Sequence, residues 1–437
     1  MSSKRLTAWI VAGLVLGMVV GYAVNVSASP AGAARFAEIA NLLPFAFLRL
    51  IKMIIAPLVF TTLVVGIAKM GDIATVGRIG GKALAWFIFA SLISLTLGLV
   101  LVQWFEPGRA MSLPLPPAEA SSGVSAGAMT MKGFIESTLP ASVIAAMADN
   151  EILPIVVFSL FFGTAMAALG ERTKGVLNAL DAVAHVMLKV TGFVMLFAPL
   201  AVFGALAATV AKQGLDVIRV YGIFVTEFYF SLAILWAILI GLGLLIIGGS
   251  VFRLVRRIRE PVLLAFSTAS SEAAYPRTLE ELERFGCSNR VASFVLPVGY
   301  SFNLDGSMMY CTFAVLFLAQ VYGIELSIAQ QILMVAILML TSKGIAGVPR
   351  ASLVVVAATL GQFGIPEAGM LLLLGIDHFL DMGRSATNVV GNSIATAIVS
   401  KWEGELRAGA AGDGPLPAAA GGPAAEAPSG PAPERSS

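Results

Sequence analysis

Eight apolar runs, at about 6–25, 40–68, 82–105, 149–170, 180–210, 218–250, 290–322 and 367–400, each reach the length of a bilayer crossing. A crossing helix needs about 20 apolar residues, because the hydrocarbon core is about 30 Å thick. Backbone amides find no water there, so the runs must close their hydrogen bonds as helices. The chain is 58% hydrophobic and only 12% charged, about half the charge of a soluble domain. We therefore expect an all-α integral membrane protein. A net charge of +2 with no basic, aromatic-rich patch argues against a nucleic-acid partner. Cys287 and Cys311 are too few for a disulfide framework and have no metal-ligand spacing. Lys4 and Arg5 before the first run also fit a cleaved signal peptide, but Leu6 to Val24 is long for one and more spans follow.

Two segments, near 261–285 and 329–362, do not read as plain crossings. The first holds Ser267, Thr268, Ser270, Ser271, Glu272 and Pro276. The second breaks at Thr341 to Arg350, a stretch with two glycines, a proline and two cations. Glycine and proline release backbone groups from helical bonding. In lipid such groups survive only inside protein or beside a cavity, so both segments are expected to be re-entrant helical hairpins.

Basic residues orient the spans. With the N-terminus inside, the inner loops carry Lys4, Arg5, Lys69, Arg78, Lys82, Arg172, Lys174, the Arg253–Arg259 cluster, Lys401 and Arg407. The outer loops carry Arg35, Arg109, Lys132 and Lys212. That bias predicts eight crossings with both termini cytoplasmic. The proline-rich outer segment 107–140 reads as a mobile loop, and the Ala/Gly/Pro tail 404–437 as disordered.

In the last run, Asp377, Asp381, Arg384, Asn388 and Asn392 are spaced 4, 3, 4 and 4 apart. At about 100° per residue they share an arc of roughly 80° on one helix face. A charge at the bilayer centre costs about 2.5–3.5 kcal/mol on insertion scales, so the stripe must face protein, water or ligand. Arg384 offers a planar fork that binds a carboxylate through two parallel bonds. Asp381 suits a substrate ammonium. The plainer alternative is an ion pair of Arg384 with Asp381 or Asp377 that only braces packing.

Asn303-Leu304-Asp305-Gly306-Ser307 interrupts another apolar run. An unwound turn beside a carboxylate supplies the oxygens that a dehydrated Na⁺ requires; the lesser alternative is a structural Asn–Asp pair that holds a kink. Ser270, Ser271 and Ser307 offer hydroxyl donors, which in membrane helices also bond the preceding turn. Glu272 reads as a proton carrier or a cap, and His378 as a packing residue, with a proton relay as the lesser alternative. The hairpin-then-helix pattern recurs: Thr268-Ala269-Ser270-Ser271 and Thr341-Ser342-Lys343-Gly344 lie 73 residues apart, Asp305 and Asp381 76 apart. With hairpins of opposite orientation, this predicts an inverted repeat with a site at its interface.

These residues resemble the dicarboxylate/amino acid:cation symporter family. The likeness is carried by Leu48–Met53 with Pro57–Phe60, Thr268–Pro276, Gly299–Gly306, Gly344–Pro349 and Gly375–Asp377 through Lys401–Glu403. It implies a homotrimer of elevator type, made of eight transmembrane helices and two re-entrant hairpins. Residues 1–250 would be mainly scaffold and trimerisation helices, with the third span joining a transport domain of 251–403. Ser270, Ser271, Ser307, Val348, Asp381, Arg384, Ser385 and Asn388 match substrate positions. Gly299, Asn303, Asp305, Ser342, Asn388 and Asn392 match cation positions and are where Na⁺ would bind. Arg384 would hold a side-chain carboxylate and Asp381 the amino group.

Five positions depart from the family's pattern. Sodium-coupled relatives carry aspartate at Asn392 and methionine at Leu304, Phe87 and Ala90 replace a tyrosine and a threonine of a third sodium site, and Arg350 replaces a glycine. The resemblance implies a symporter importing L-glutamate or L-aspartate with H⁺, Na⁺ being the alternative ion, across a bacterial inner membrane. The alternative is a C4-dicarboxylate symporter; Asp381 argues against it and Arg350 for it. No enzymatic role or cofactor is expected: a serine hydrolase needs a base and a nucleophile elbow that the segments around His185 and His378 lack. A passive anion channel is the remaining reading.

Overall fold

The computed structural model describes residues 3–68, 73–110, 135–136, 138–214, 221–342, 351–374 and 376–407. Among the described residues the regular structure is helical, and one isolated bridge joins Cys287 to Leu406. In chain order the helices are α1 (Ser3–Ser27), α2 (Pro30–Ala40), α3 (Leu42–Ala68), α4 (Ile73–Phe105), α5 (Val143–Asp149), α6 (Ile152–Leu169), α7 (Lys174–Val194), α8 (Ala198–Gln213) and α9 (Gly222–Ile247). There follow α10 (Ser250–Arg257), α11 (Arg259–Thr268), α12 (Ser271–Phe285), α13 (Asn289–Phe302), α14 (Asp305–Val321), α15 (Ile328–Thr341), α16 (Ala351–Leu360), α17 (Met370–Leu374) and α18 (Asp377–Trp402).

Among the described residues, six helical segments are long and apolar enough to cross a bilayer: Ala8–Ser27, Pro30–Ala68, Ala74–Arg109, Ile152–Lys212, Gly222–Ile247 and Asn289–Val321. The segment Ile152–Lys212 holds two of the expected spans. Two expected spans are less regular than their composition implies. The run 180–210 is interrupted by a 3-10 turn at Met195–Phe197, and α8 resumes with Pro199 in its first turn. Proline is tolerated there because its missing N–H has no intrahelical acceptor to lose. Within the run 367–400, α17 ends at Leu374 and α18 starts at Asp377, after Ile376. A carboxylate in the first turn faces the positive end of the helix dipole, which favours starting the helix there.

The first hairpin is α11 and α12 joined by Ala269 and Ser270. Ala269 takes the left-handed conformation (φ 49, ψ 36), and Ser270 Oγ accepts the N–H of Ala273, 3.3 Å away, as a cap. The arms are pinned by Arg277, whose Nε donates to Glu260 at 2.9 Å and whose guanidinium also meets Glu281. The arms of the second hairpin are α15 and α16, and its tip at 343–350 lies outside the described residues.

From Leu380 to Ser400 every residue of α18 is buried. It is the central helix, packed by α9, α11, α12, α13, α14 and α4. A helix buried all round is normally apolar all round, so its polar residues must be satisfied by one another, by the surrounding helices or by a ligand. Just past its end, Arg78 and Lys82 of α4 clamp Glu403: Arg78 Nη2 lies 2.9 Å and Lys82 Nζ 2.6 Å from its carboxylate. Burial pushes the Glu403 carboxyl up, but the hydrogen bonds from Arg78 and Lys82 outweigh it and hold the group below its ordinary value.

Candidate functional site

Two interrupted helices meet at the centre of the bundle. Between α13 and α14, Asn303 (φ −131, ψ 57) and Leu304 (φ −91, ψ 69) leave the helical region. The first N–H groups of α14 therefore lack an intrahelical acceptor. Asn388 of α18 supplies one: its Oδ1 accepts from Gly306 N at 2.9 Å and Ser307 N at 3.3 Å, and its Nδ2 donates to Ser307 Oγ at 3.1 Å. Asn388 thus caps a half-helix more than 80 positions away and joins Ser307 to the polar stripe.

Five of the six residues expected to hold a cation, Gly299, Asn303, Asp305, Asn388 and Asn392, lie around that break. Asn303 Nδ2 donates to Asp305 Oδ2 at 3.0 Å and, at 3.5 Å, faces Asn392 Oδ1. Asn303, Asp305 and Asn392 are almost wholly buried. Asn303 Oδ1 and Asn392 Nδ2 have no hydrogen-bond partner among the described residues. A Cβ on Gly299 would run into Asn392 Oδ1, and one on Gly391 into Asp305 Oδ2, so both positions need glycine to let the amide and carboxylate approach the backbone. Phe87 lies within 3.4 Å of the Gly299 position, which seats α4 against this cluster. Ser342 ends α15, buried, with its Oγ unpartnered among the described residues.

On the same stripe, Arg384 is fully buried and folded onto its own helix. Nη2 lies 3.0 Å from Asp377 Oδ1 and 2.8 Å from Asp381 Oδ1, and Nε donates to Asp381 Oδ1 at 3.1 Å. The guanidinium stacks 3.9 Å over the ring of Tyr310, whose hydroxyl donates to Asp377 Oδ1 at 3.3 Å. The ion pair weighed from the sequence is therefore present, with both carboxylates engaged at once. One nitrogen of the guanidinium is left over: Arg384 Nη1 has no hydrogen-bond partner among the described residues, nor has Ser271 Oγ on the first hairpin. Ser270, Ser271 and Ser385 are buried. Val348 lies outside the described residues, as does Arg350.

Ser270 and Glu272 also line a cavity of about 870 Å³ with Arg49 and Lys52 of α3 and Asp149 and Asn150 at the end of α5. The cap of α12 is Ser270, which removes that role from Glu272. His378 is half-buried with its ring edge towards Phe379.

Two contributors are absent from the expected set. Tyr310 holds Arg384 from α14, and Ser94 of α4 donates through Oγ to Asp305 Oδ1 at 3.1 Å. Ser94 is one turn past Ala90 on the face already marked by Phe87 and Ala90, so its signal exists in the sequence. Tyr310 is one aromatic in an apolar run and carries none.

Buried carboxylates, amides and a guanidinium gathered between two broken helices are the equipment of a multi-pass membrane transporter. The chain belongs to the sodium:dicarboxylate symporter family, whose model matches residues 6–402. It is 41% identical over 365 residues to a proton/sodium-glutamate symport protein of Bacillus caldotenax, covering 82% of this chain and 86% of that one. It is 40% identical over 367 residues to a C4-dicarboxylate transport protein of Laribacter hongkongensis (82% and 83% covered), and 40% identical to one of Bacillus subtilis over 363 residues (82% and 86%).

Proposed function

We propose that this protein is a secondary active symporter that imports an acidic amino acid, L-glutamate or L-aspartate, with H⁺ or Na⁺ across a bacterial inner membrane. The observation that carries the reading is the unpartnered Nη1 of Arg384 beside Asp381 on one buried stripe. A guanidinium and a carboxylate side by side match an amino acid's side-chain carboxylate and ammonium. Ser270, Ser271, Ser307, Val348, Ser385 and Asn388 complete the solute set. Gly299, Asn303, Asp305, Ser342, Asn388 and Asn392 hold the coupling ion. An incoming carboxylate can bind Nη1 while Nη2 and Nε keep their bonds to Asp377 and Asp381, so neither buried carboxylate loses its partner.

The reading has eight crossings, both termini cytoplasmic, three protomers, and a moving body of residues 251–403 with α4 attached. We add α9 to that body, because Phe224 and Phe228 pack their rings on Phe313, Phe317 and Tyr310 of α14. Moving a monoanion into a negative interior costs about 2.3 kcal/mol per 100 mV. One monovalent cation only cancels that, so voltage-driven uptake takes at least two. Asn392 supplies no charge to the cation set, and a hard cation is held better by carboxylates; this favours H⁺ over Na⁺.

A C4-dicarboxylate is the second reading. Asp381 is engaged by two nitrogens of Arg384, which lessens its repulsion of a dianion. Relatives of equal identity carry both names, so the names do not separate the two solutes.

Uptake of labelled aspartate into proteoliposomes, with and without imposed pH and sodium gradients, tests the proposal. Accumulation against the solute's gradient supports it. Equilibration without accumulation makes the protein a channel, and uptake that follows sodium while ignoring pH reverses the choice of ion.

A further inference from the structure

The back of α18 is as closely specified as its polar face. Phe379, Gly383 and Thr387 are spaced four apart and turn towards α9. Tyr229 Oη donates to the carbonyl of Phe379 at 2.6 Å. The Tyr229 ring lies 3.1 Å, and Leu232 Cδ1 2.7 Å, from where a Cβ on Gly383 would stand. One turn on, Trp236 Nε1 donates to Thr387 Oγ1 at 2.8 Å, and Thr387 passes its own proton to the Gly383 carbonyl at 2.8 Å.

Thr387 stands between three things. It precedes Asn388, which caps α14. It follows Arg384 by three residues. Its Cβ lies 2.8 Å from where a Cβ on Gly306 would stand, with Arg384 O at 2.5 Å from the same point. Gly306 in turn follows Asp305. A shift of Thr387 therefore moves the break at Asn303–Leu304 relative to the Arg384 stripe.

We infer that Trp236 is a positioning residue: its bond to Thr387 fixes the register between the ion-holding break before α14 and the solute-holding stripe of α18, so that filling one prepares the other. The inference rests on the symport reading above. A helix buried on every side needs an outside reference to hold its rotation to within the few tenths of an ångström that hydrogen-bond geometry tolerates. An indole N–H on a neighbouring helix gives that reference, because Thr387 Oγ1 accepts from one direction and donates in another.

The test is a cycle of Trp236→Phe, Thr387→Val and the double variant, with Thr387→Ser as the conservative control. Uptake of labelled aspartate and succinate is measured in proteoliposomes across a range of pH and sodium. Each single variant should raise the solute KM about tenfold, the worth of one buried hydrogen bond, and flatten its dependence on the coupling ion. The kcat should stay within about twofold. The double variant should be no worse than either single one, and Thr387→Ser should behave as wild type. Trp236→Phe keeps the Thr387–Gly383 bond that Thr387→Val removes, so equal effects assign the change to the contact between helices. Additive effects, or a KM and ion dependence unchanged in both single variants with an active wild type, overturn the inference alone. A wild type that accumulates neither solute overturns it together with the symport reading.

Discussion

Arg384 and Asp377 lie two turns apart on α18, both wholly buried, with Nη2 of the one 3.0 Å from Oδ1 of the other. Asp381 shares the same nitrogen. Taking such charges out of water is repaid only when every partner is present, and removing one partner costs about 3–5 kcal/mol. One guanidinium thus faces two carboxylates and offsets only one of them, and Nη1 is the nitrogen still open to an acidic solute.

Arg384→Ala strands two buried carboxylates and should lower stability by about 3–5 kcal/mol. Arg384→Lys keeps a charge but loses the fork and the flat stacking on Tyr310. Its uptake should fall by about 100-fold while its thermal midpoint stays closer to wild type, since two charge-assisted bonds of about 1.5 kcal/mol each are lost. Midpoints and initial uptake rates on the same purified preparations check both parts.

Asp381 separates the two solutes. If an ammonium is held there, Asp381→Asn should weaken aspartate uptake by about 10- to 100-fold, the range for a bond to a charged group, and leave succinate uptake little changed. A competition panel of labelled aspartate against unlabelled succinate, run on wild type and variant, reads this directly. Equal loss for both solutes would mean that Asp381 acts only by orienting Arg384.

Asn392→Asp puts a carboxylate beside Asn303 and Asp305. Added negative charge at close range strengthens an oxygen site for a cation, and at short distance this is worth at least tenfold, roughly. The sodium concentration for half-maximal uptake should fall by about that factor, and the pH dependence should weaken. Unchanged ion dependence would remove Asn392 from the cation set.

The stripe on α18 was legible because helical spacing alone places Asp377, Asp381, Arg384, Asn388 and Asn392 on one face. The break at Asn303–Leu304 was legible from the polar residues and glycine that interrupt its apolar run. Partnerships across the bundle were not. Asn388 reaches Gly306 over 82 positions and Ser94 reaches Asp305 over 211, and no local pattern encodes such pairings. The start of α18 at Asp377 is equally silent, because Met370–Leu374 is as apolar as a continuous helix would be.

The clamp on Glu403 gives a pH signature outside the membrane. Arg78 and Lys82 hold this carboxyl below its ordinary value in the folded protein. A group with a depressed folded value stabilises the fold above its unfolded value, about 4.3 for glutamate, and loses that contribution as pH falls through the folded value. Glu403→Gln should therefore unfold at a lower temperature than wild type at pH 7, and the gap should close as the pH is lowered below about 4. Raising the salt concentration at pH 7 should shrink the gap only in part. Arg78 is half exposed and screened, but the Glu403 side chain it meets is 2% exposed. A gap that stays constant from pH 7 to pH 3 would show that Glu403 acts through packing and not through its charge.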